Sequence, residues 1–358
     1  FIFVDDLRPT GPNYKDAWKA ARQAASTLNT LGIQDAPRKR RASSRSPGAW
    51  AGGVVRTTDE GVFVLTSEEK WEKAKAQLKE VQEMMDVDSS KMPGKRLEQI
   101  RGFLQYVCQT YTSLTSYLIG FHMTIDPWRP GRDDEGWRLA QALWKQIKKE
   151  DEDWSREDVA IADVPILVQA VPRFHADVSA LLRLMRFDNP PLKRVRCNKT
   201  AQAYYGFGDA SGSGFGATIQ IGQKIHFSYG QWCSEITENR SSNWRELNNL
   251  VEAIEGTVNA HDMRGSELFI FTDNSTAEAA FWKGTSKSPR LFELVLRLKE
   301  LEMEHDLHIH VVHVSGKRMI AEGSDGLSRA DHGEGVMLGK DIRKFIPLHL
   351  DPVVREPK

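Results

Sequence analysis

Between residues 204 and 329 stand four carboxylates, Asp209, Glu246, Asp273 and Asp325, each at the end of a strand-like run or the start of a helix-like one. Residues 203–209 (AYYGFGD) are a short aromatic run closed by Asp209, the glycine- and serine-rich 210–216 turn the chain, and 217–221 form a second strand. Residues 225–228 can add a third. Next, 241–247 (SSNWREL) open a helix with Leu247, Leu250, Val251 and Ile254 on one face. A cap at Ser242 or Asn243 places Glu246 in its first turn. The apolar 268–272 (LFIFT) meet Asp273 and pass at once into a helix-like 275–283. Finally, 308–314 alternate as a strand, 315–317 break it, and Gly323-Ser324-Asp325 start a last short helix. The predicted order is β-β-β-α-β-α-α-β-α, an α/β fold whose central strands carry acids at one edge.

Crowded carboxylates repel one another and raise their own pKa values unless cations neutralise them. Two Mg²⁺ ions about 3.5–4 Å apart, in a cage of oxygen ligands, would do so. Such a pair also clamps a phosphodiester, activating water on one side and stabilising the leaving oxygen on the other.

The segments GDASGSGFGA, NWREL, FTDNS and GSDGLSR resemble the four motifs of ribonuclease H, in the version found at the end of retroelement reverse transcriptases. That resemblance implies a mixed five-stranded sheet with flanking helices over 201–330, and Asp209, Glu246, Asp273 and Asp325 as ligands of two Mg²⁺ ions, or of Mn²⁺ in their place. It implies hydrolysis of the RNA strand of an RNA:DNA hybrid. It also implies contacts to the hybrid from Asn243, three residues before Glu246, from Ser275, two after Asp273, and from Lys317 and Arg318 in the loop before Asp325. Ser211 and Ser213, beside Asp209, are weaker candidates. RNA differs from DNA through its 2′-hydroxyl and the minor-groove shape that follows, so polar groups at the site serve selectivity. The DDE integrases and transposases share the fold but take their Glu from a helix after the second Asp, for which Glu293 or Glu300 would have to serve. A hybrid-binding remnant of a decayed element is the non-enzymatic alternative.

In one respect the chain departs from the cellular ribonucleases H, which carry a His ten residues before the last Asp, where this sequence has Ser315. His313 lies nearby at an alternating strand position, and retroelement versions often lack the loop His. His305, His308, His310 and His313 resemble a metal cluster, but on a strand His308 and His310 face one way and His313 the other, so they are set aside as a zinc site.

Upstream, residues 1–7 (FIFVDDL) are an apolar strand meeting two acids, and FVDD resembles the catalytic hairpin of reverse transcriptase palms, with Asp5 and Asp6 as Mg²⁺ ligands. A helix-like 16–31, a basic run Arg38-Lys39-Arg40-Arg41, and strand-like 50–55 and 62–65 follow, similar to the later palm and the hairpin that grips the primer. The earlier palm strand with its own acid would precede Phe1, so polymerase activity is not expected of this chain, which reads as a piece of a longer polypeptide. Residues 67–87 and 95–121 carry helical periodicity; 127–132 read as a loop, 137–149 and 178–186 as further helices, and Lys193-Arg194-Val195-Arg196 as a basic linker.

The expected organisation is therefore a partial palm at 1–87, a helical thumb and connection at 88–200, a ribonuclease H domain at 201–330 and a tail at 331–358. Such a tail is similar to the region after the nuclease in DIRS-like elements, with gypsy-type elements the other host. The expected partners are an RNA:DNA hybrid, a primer–template duplex and the rest of a retroelement polyprotein. Membranes are not expected, since no stretch is apolar enough to span one. Three cysteines without a CxxC pair point to a reducing compartment, cytoplasmic or nuclear. Lys plus Arg and Asp plus Glu balance at 49 each, so net charge selects no partner.

Overall fold

The computed structural model describes residues 2–3, 6–7, 11, 13–33, 48–50, 53–125, 128–130, 137–139, 166–195, 202–222, 224–234, 239–331 and 333. For 2–3, 6–7, 48–50, 128–130 and 137–139 the backbone alone is described. The chain divides into two compact units, Phe1–Trp71 with Asn189–Val195, and Glu72–Asp188 with Arg196–Lys358. No helix among the described residues is long and apolar enough to cross a membrane.

In the first unit Ile2–Phe3 pairs antiparallel with Asp6–Leu7, Phe3 opposite Asp6. Asp5 lies outside the described residues, and of Asp6 only the strand backbone is described. Helix Tyr14–Thr30 is capped by Asn13, whose side chain accepts from Asp16 N–H. A four-stranded sheet runs in the order Lys193–Arg194, Gly61–Leu65, Gly53–Thr58, Gly48–Trp50. Lys193–Arg194, read from sequence as linker, is thus an edge strand, paired with Val64 and Phe63. A two-residue strand of basic side chains has no alternation to announce it.

Helices α1 (Glu68–Asp88) and α2 (Gly94–Thr110), a 3₁₀ segment (Thr112–Leu118), α3 (Ile119–Ile125) and α4 (Pro172–Leu184) follow. Leu97, Ile100, Leu104 and Val107 of α2 are all buried, as their i, i+3, i+4 spacing requires. Phe121 meets Phe174 edge to face at 4.7 Å. Two local readings are corrected: Trp128–Pro130, expected as loop, and Trp137–Leu139, expected to open a helix, are paired antiparallel strands. Aromatic residues suit a strand ladder as well as a helix, so composition did not separate the two.

The second unit is built on a mixed five-stranded sheet. Its strands are β1 (Ala203–Ala210), β2 (Gly214–Ile221), β3 (Lys224–Gln231), β4 (Glu267–Thr272) and β5 (His308–His313), in the order β3-β2-β1-β4-β5. The β1–β2 and β2–β3 pairs are antiparallel; β1–β4 and β4–β5 are parallel. Helices α5 (Ser242–Ala260), α6 (Ser275–Lys283) and α7 (Pro289–Glu304) supply the main core. Leu247, Leu250, Val251 and Ile254 of α5 pack there with Leu268, Ile270, Phe281, Leu294, Leu298 and Ile309. A smaller core on the opposite sheet face joins Tyr205, Phe207 and Phe271 to Met319.

The helical layer is fastened to the back of α7. Arg183 on α4 forms a fork with Glu300 (2.9 Å to each carboxylate oxygen) and reaches Glu293 (2.7 Å). Ser113 donates to Glu302, whose other oxygen accepts from Ile309 N–H and whose charge is met by Lys299. Gly284 is so close to Ser116 that a Cβ there would lie 2.5 Å from the serine Cβ.

Candidate metal centre

Register alone brings two of the acids together. In the parallel β1–β4 pair Phe207 lies opposite Phe271, and two residues beyond that pair come Asp209 and Asp273, at the carboxyl ends of the two central strands. Alternation puts Asp209 on the same sheet face as Tyr205 and Phe207. Asp273 directly follows the last residue of β4 and precedes Asn274, which caps α6 by accepting from Ala277 N–H at 2.9 Å.

Glu246 arrives from α5 because that helix lies close on the sheet. A Cβ on Gly208 would stand 2.4 Å from Leu250 Cδ2, so only glycine permits this approach. Asn249, fully buried, donates from its amide to the carbonyls of Asp209 and Gly216, both at 2.9 Å, locking helix to strands. One turn before Leu250, Glu246 accepts from Ala210 N–H at 3.2 Å. The cap is Ser241, whose hydroxyl accepts from Trp244 N–H, rather than Ser242 or Asn243. Glu246 is therefore the fifth helical residue and opens the second turn instead of lying in the first. One carboxylate oxygen from each of Asp209, Glu246 and Asp273 lies within 4.8 Å of the other two.

Asp325, on a separate element, is not part of this group of three but approaches it. Helix α8 (Gly316–Glu322) and helix α9 (Ser324–Ser328) follow β5, and α9 packs on β1 and β2. Glycine again makes room: a Cβ on Gly216 would fall 2.5 Å from Leu327 Cβ and 2.8 Å from Ser328 N. Asp325 lies close enough for its charge to act on Asp209. Two residues to which the sequence analysis gave no role complete the arrangement. Ser328 Oγ stands 2.9 Å from Asp209 Oδ2 and 2.8 Å from the Asp325 carbonyl, and Arg329 forms an ion pair with the Asp325 carboxylate. Their spacing of three and four residues from Asp325 on a helix was the available signal. Beneath them, the fully buried Glu322 accepts from Thr218 Oγ1 at 2.5 Å and from Ser324 N–H at 3.2 Å, tying β2 to the start of α9.

The remaining candidates fall on different ground. Asn243 accepts from the Asn274 amide at 2.9 Å, so it borders the cluster, and Ser275 is exposed at the first position of α6. Ser213 is exposed, whereas the Ser211 hydroxyl is engaged inside its turn, accepting from Gly214 N–H (2.9 Å) and lying 2.8 Å from the Ser328 carbonyl. Lys317 and Arg318, expected in a loop, are on α8, and Gly316 at its start is so near Asp273 that a Cβ would stand 3.1 Å from Oδ2. His313 places Nε2 3.1 Å from the Asp273 carbonyl, and its own N–H donates to Glu278. Glu293 and Glu300, the acids a DDE arrangement would need, are engaged by Arg183.

Burial, opposed by the Ser328 hydrogen bond and reinforced by the charges of Asp273 and Asp325, pushes Asp209 up to about 6. Burial first, then Asp209 and Asp273, push Glu246 up to about 9. Both folded values lie above the ordinary 3.8 and 4.5, so over this span the native protein holds more protons than the unfolded chain. The contribution of these two acids to stability without metal therefore falls as pH rises from about 4 towards 9. A metal ion needs these ligands deprotonated and offsets that loss. The expected result is a melting-temperature gain from Mg²⁺ over EDTA that grows between pH 6 and pH 9, measured by differential scanning calorimetry; a gain that shrinks with pH would contradict it.

No protein-family model matches the chain, and no curated protein matches it. Among solved structures, ribonuclease H1 from the halophilic archaeon Halobacterium salinarum NRC-1 is similar, with a TM-score of 0.28 and 19% identity over 35% of this chain and 92% of that one. LC11-RNase H1 in complex with an RNA/DNA hybrid is similar with a TM-score of 0.29 and 19% identity, over 36% and 94%. The foamy viral protease-reverse transcriptase in complex with an RNA/DNA hybrid matches over 85% of this chain and 34% of its own, with a TM-score of 0.27 and 10% identity. The chain thus spans about a third of the foamy viral protein.

Proposed function

We propose that this chain is a metal-dependent nuclease of the ribonuclease H type that cuts the RNA strand of RNA:DNA hybrids. The observation that carries the reading is the meeting of Asp209, Glu246 and Asp273 within 4.8 Å at the carboxyl ends of two central parallel strands. Asp325, on α9, acts on Asp209 through its charge and would join them. An all-oxygen, carboxylate-rich donor set fits a hard divalent cation, Mg²⁺ or Mn²⁺. Asp209, Glu246, Asp273 and Asp325 would hold two such ions, which when bound supply an activated water and stabilisation of the leaving oxygen.

The chain's own groups do the rest. Ser328 and Ala210 N–H orient the carboxylates of Asp209 and Glu246. Asn243, Ser275, Ser213, Lys317 and Arg318 would meet the sugar edge and phosphates of the hybrid. Attack of water oxygen on phosphorus with loss of the 3′ oxygen leaves a 3′-hydroxyl and a 5′-phosphate. Asp5 and Asp6 belong in the same proposal to the palm of a reverse transcriptase whose duplex passes to this site. A DIRS-like or gypsy-type polyprotein is the setting that the motifs favour.

The test is incubation of the purified chain with labelled RNA:DNA hybrid and Mg²⁺, beside double-stranded RNA and double-stranded DNA. Cutting confined to the RNA of the hybrid and abolished by EDTA is expected. Cleavage of duplex DNA instead would favour a DDE-type reaction, and hybrid bound but uncut in both Mg²⁺ and Mn²⁺ would mark a binding remnant.

A further inference from the structure

Arg329 sits where a cation is wanted. It is four residues after Asp325 on the exit of α9, and its guanidinium pairs with the Asp325 carboxylate while also donating to the Asp325 carbonyl at 3.1 Å. Its side chain is 55% exposed, and its tip is held by these two contacts to Asp325. The charges of Asp209 and Asp273 act on it in the same sense as that of Asp325. The guanidinium therefore lies in the field of three of the four acids.

A positive group in that position cannot be neutral towards metal. A divalent ion using Asp325 shares that carboxylate with the guanidinium on its Oδ1 and meets like-charge repulsion at short range. Without metal, the same guanidinium relieves repulsion among the acids.

We propose that Arg329 is a tethered counter-ion of the carboxylate cluster, which competes with a divalent cation for Asp325 and weakens its binding. This rests on the metal-centre reading above and adds a residue that sets the metal concentration the site requires. Tighter metal binding would then be available to the protein by a single substitution, and the arginine holds the site in a less metal-avid state.

The experiment is Mn²⁺ titration of the intact chain by calorimetry and by electron paramagnetic resonance, comparing wild type with Arg329→Gln and Arg329→Lys, together with melting in EDTA. Arg329→Gln is expected to bind Mn²⁺ about two- to five-fold more tightly, the range for loss of a partly exposed ion pair. It is also expected to melt lower than wild type in EDTA, the gap closing at saturating Mn²⁺. Arg329→Lys, which keeps the charge without the guanidinium, should fall between. Equal or weaker Mn²⁺ binding by Arg329→Gln would overturn the proposal and leave Arg329 as a support for Asp325. Failure of wild type and variant alike to bind Mn²⁺ would overturn the metal-centre reading itself and this proposal with it.

Discussion

Replacing Asp273 by Asn is expected to lower hybrid cleavage by roughly a thousand-fold, about 4 kcal/mol of transition-state stabilisation, while hybrid binding persists. The amide has the shape of the carboxylate but not its charge, so a metal ligand is weakened and the fold is not asked to move. Asp273 holds its place through its backbone: its carbonyl lies by His313 Nε2, and the chain passes directly into the Asn274 cap. Without metal the carboxylate raises the pKa of both Asp209 and Glu246, so its removal relieves repulsion. Asp273→Asn should consequently melt no lower than wild type in EDTA, yet gain less from Mg²⁺. Single-turnover cleavage, a filter-binding assay and paired melts read these three effects. Near-normal cleavage would remove Asp273 from the site, and lost binding with a lowered melt would turn it into a structural residue.

Gly216→Ala should do the opposite, disturbing the fold at the site while every acid stays in the sequence. The added methyl would meet Leu327 Cβ at 2.5 Å, Ser328 N at 2.8 Å and Leu327 C at 2.9 Å, and two of these are backbone atoms that cannot rotate away. Helix α9 must retreat from β2, carrying with it Asp325 and the Ser328 hydroxyl that meets Asp209. Overpacking of this kind costs about 1–3 kcal/mol. Cleavage should fall by at least about ten-fold below the melting transition, because a misplaced ligand costs more than its share of stability. Gly256→Ala is the control: nothing lies within 4 Å of its added Cβ on the exposed side of α5, and there alanine should stabilise by about 0.5–1 kcal/mol. Denaturant melts with activity measured on the same samples separate the two; a Gly216→Ala protein as active and as stable as wild type would mean that α9 does not position the site.

The acids were legible in the sequence because each is bound to a local signal. Asp209 and Asp273 end apolar runs, and Glu246 precedes the Leu247, Leu250, Val251, Ile254 face that drives α5 onto the sheet. Less visible was anything that depended on a partner distant in the chain. Ser328 gains meaning only when α9 lies against β1, and Glu322 only when Thr218 of β2 is above it. Lys317 and Arg318 read as loop because Ser315-Gly316 breaks the strand, yet the same pair opens α8, where extended backbone at Ser315 serves as a cap position. Likewise, Lys193 and Arg194 show no apolar alternation, and their pairing with Phe63 and Val64 is a matter of tertiary structure. The helical layer was recognisable as helices from its periodicity, but its attachment through Arg183 and Ser113 was not.

That attachment bears on how the molecule can be divided. On the back of α7, Glu300 is held by Arg183, Glu302 by Ser113 and Lys299, and Phe292 stands 6.4 Å from the ring of Tyr117. A chain trimmed to begin at residue 201 would lose Arg183, Ser113 and Tyr117 together. It would leave Glu302, only 6% exposed, facing water beside an uncovered aromatic ring. A piece of this protein that carries the acid cluster therefore needs the helical layer as well, which serves as the lining of the five-stranded sheet's α7 side.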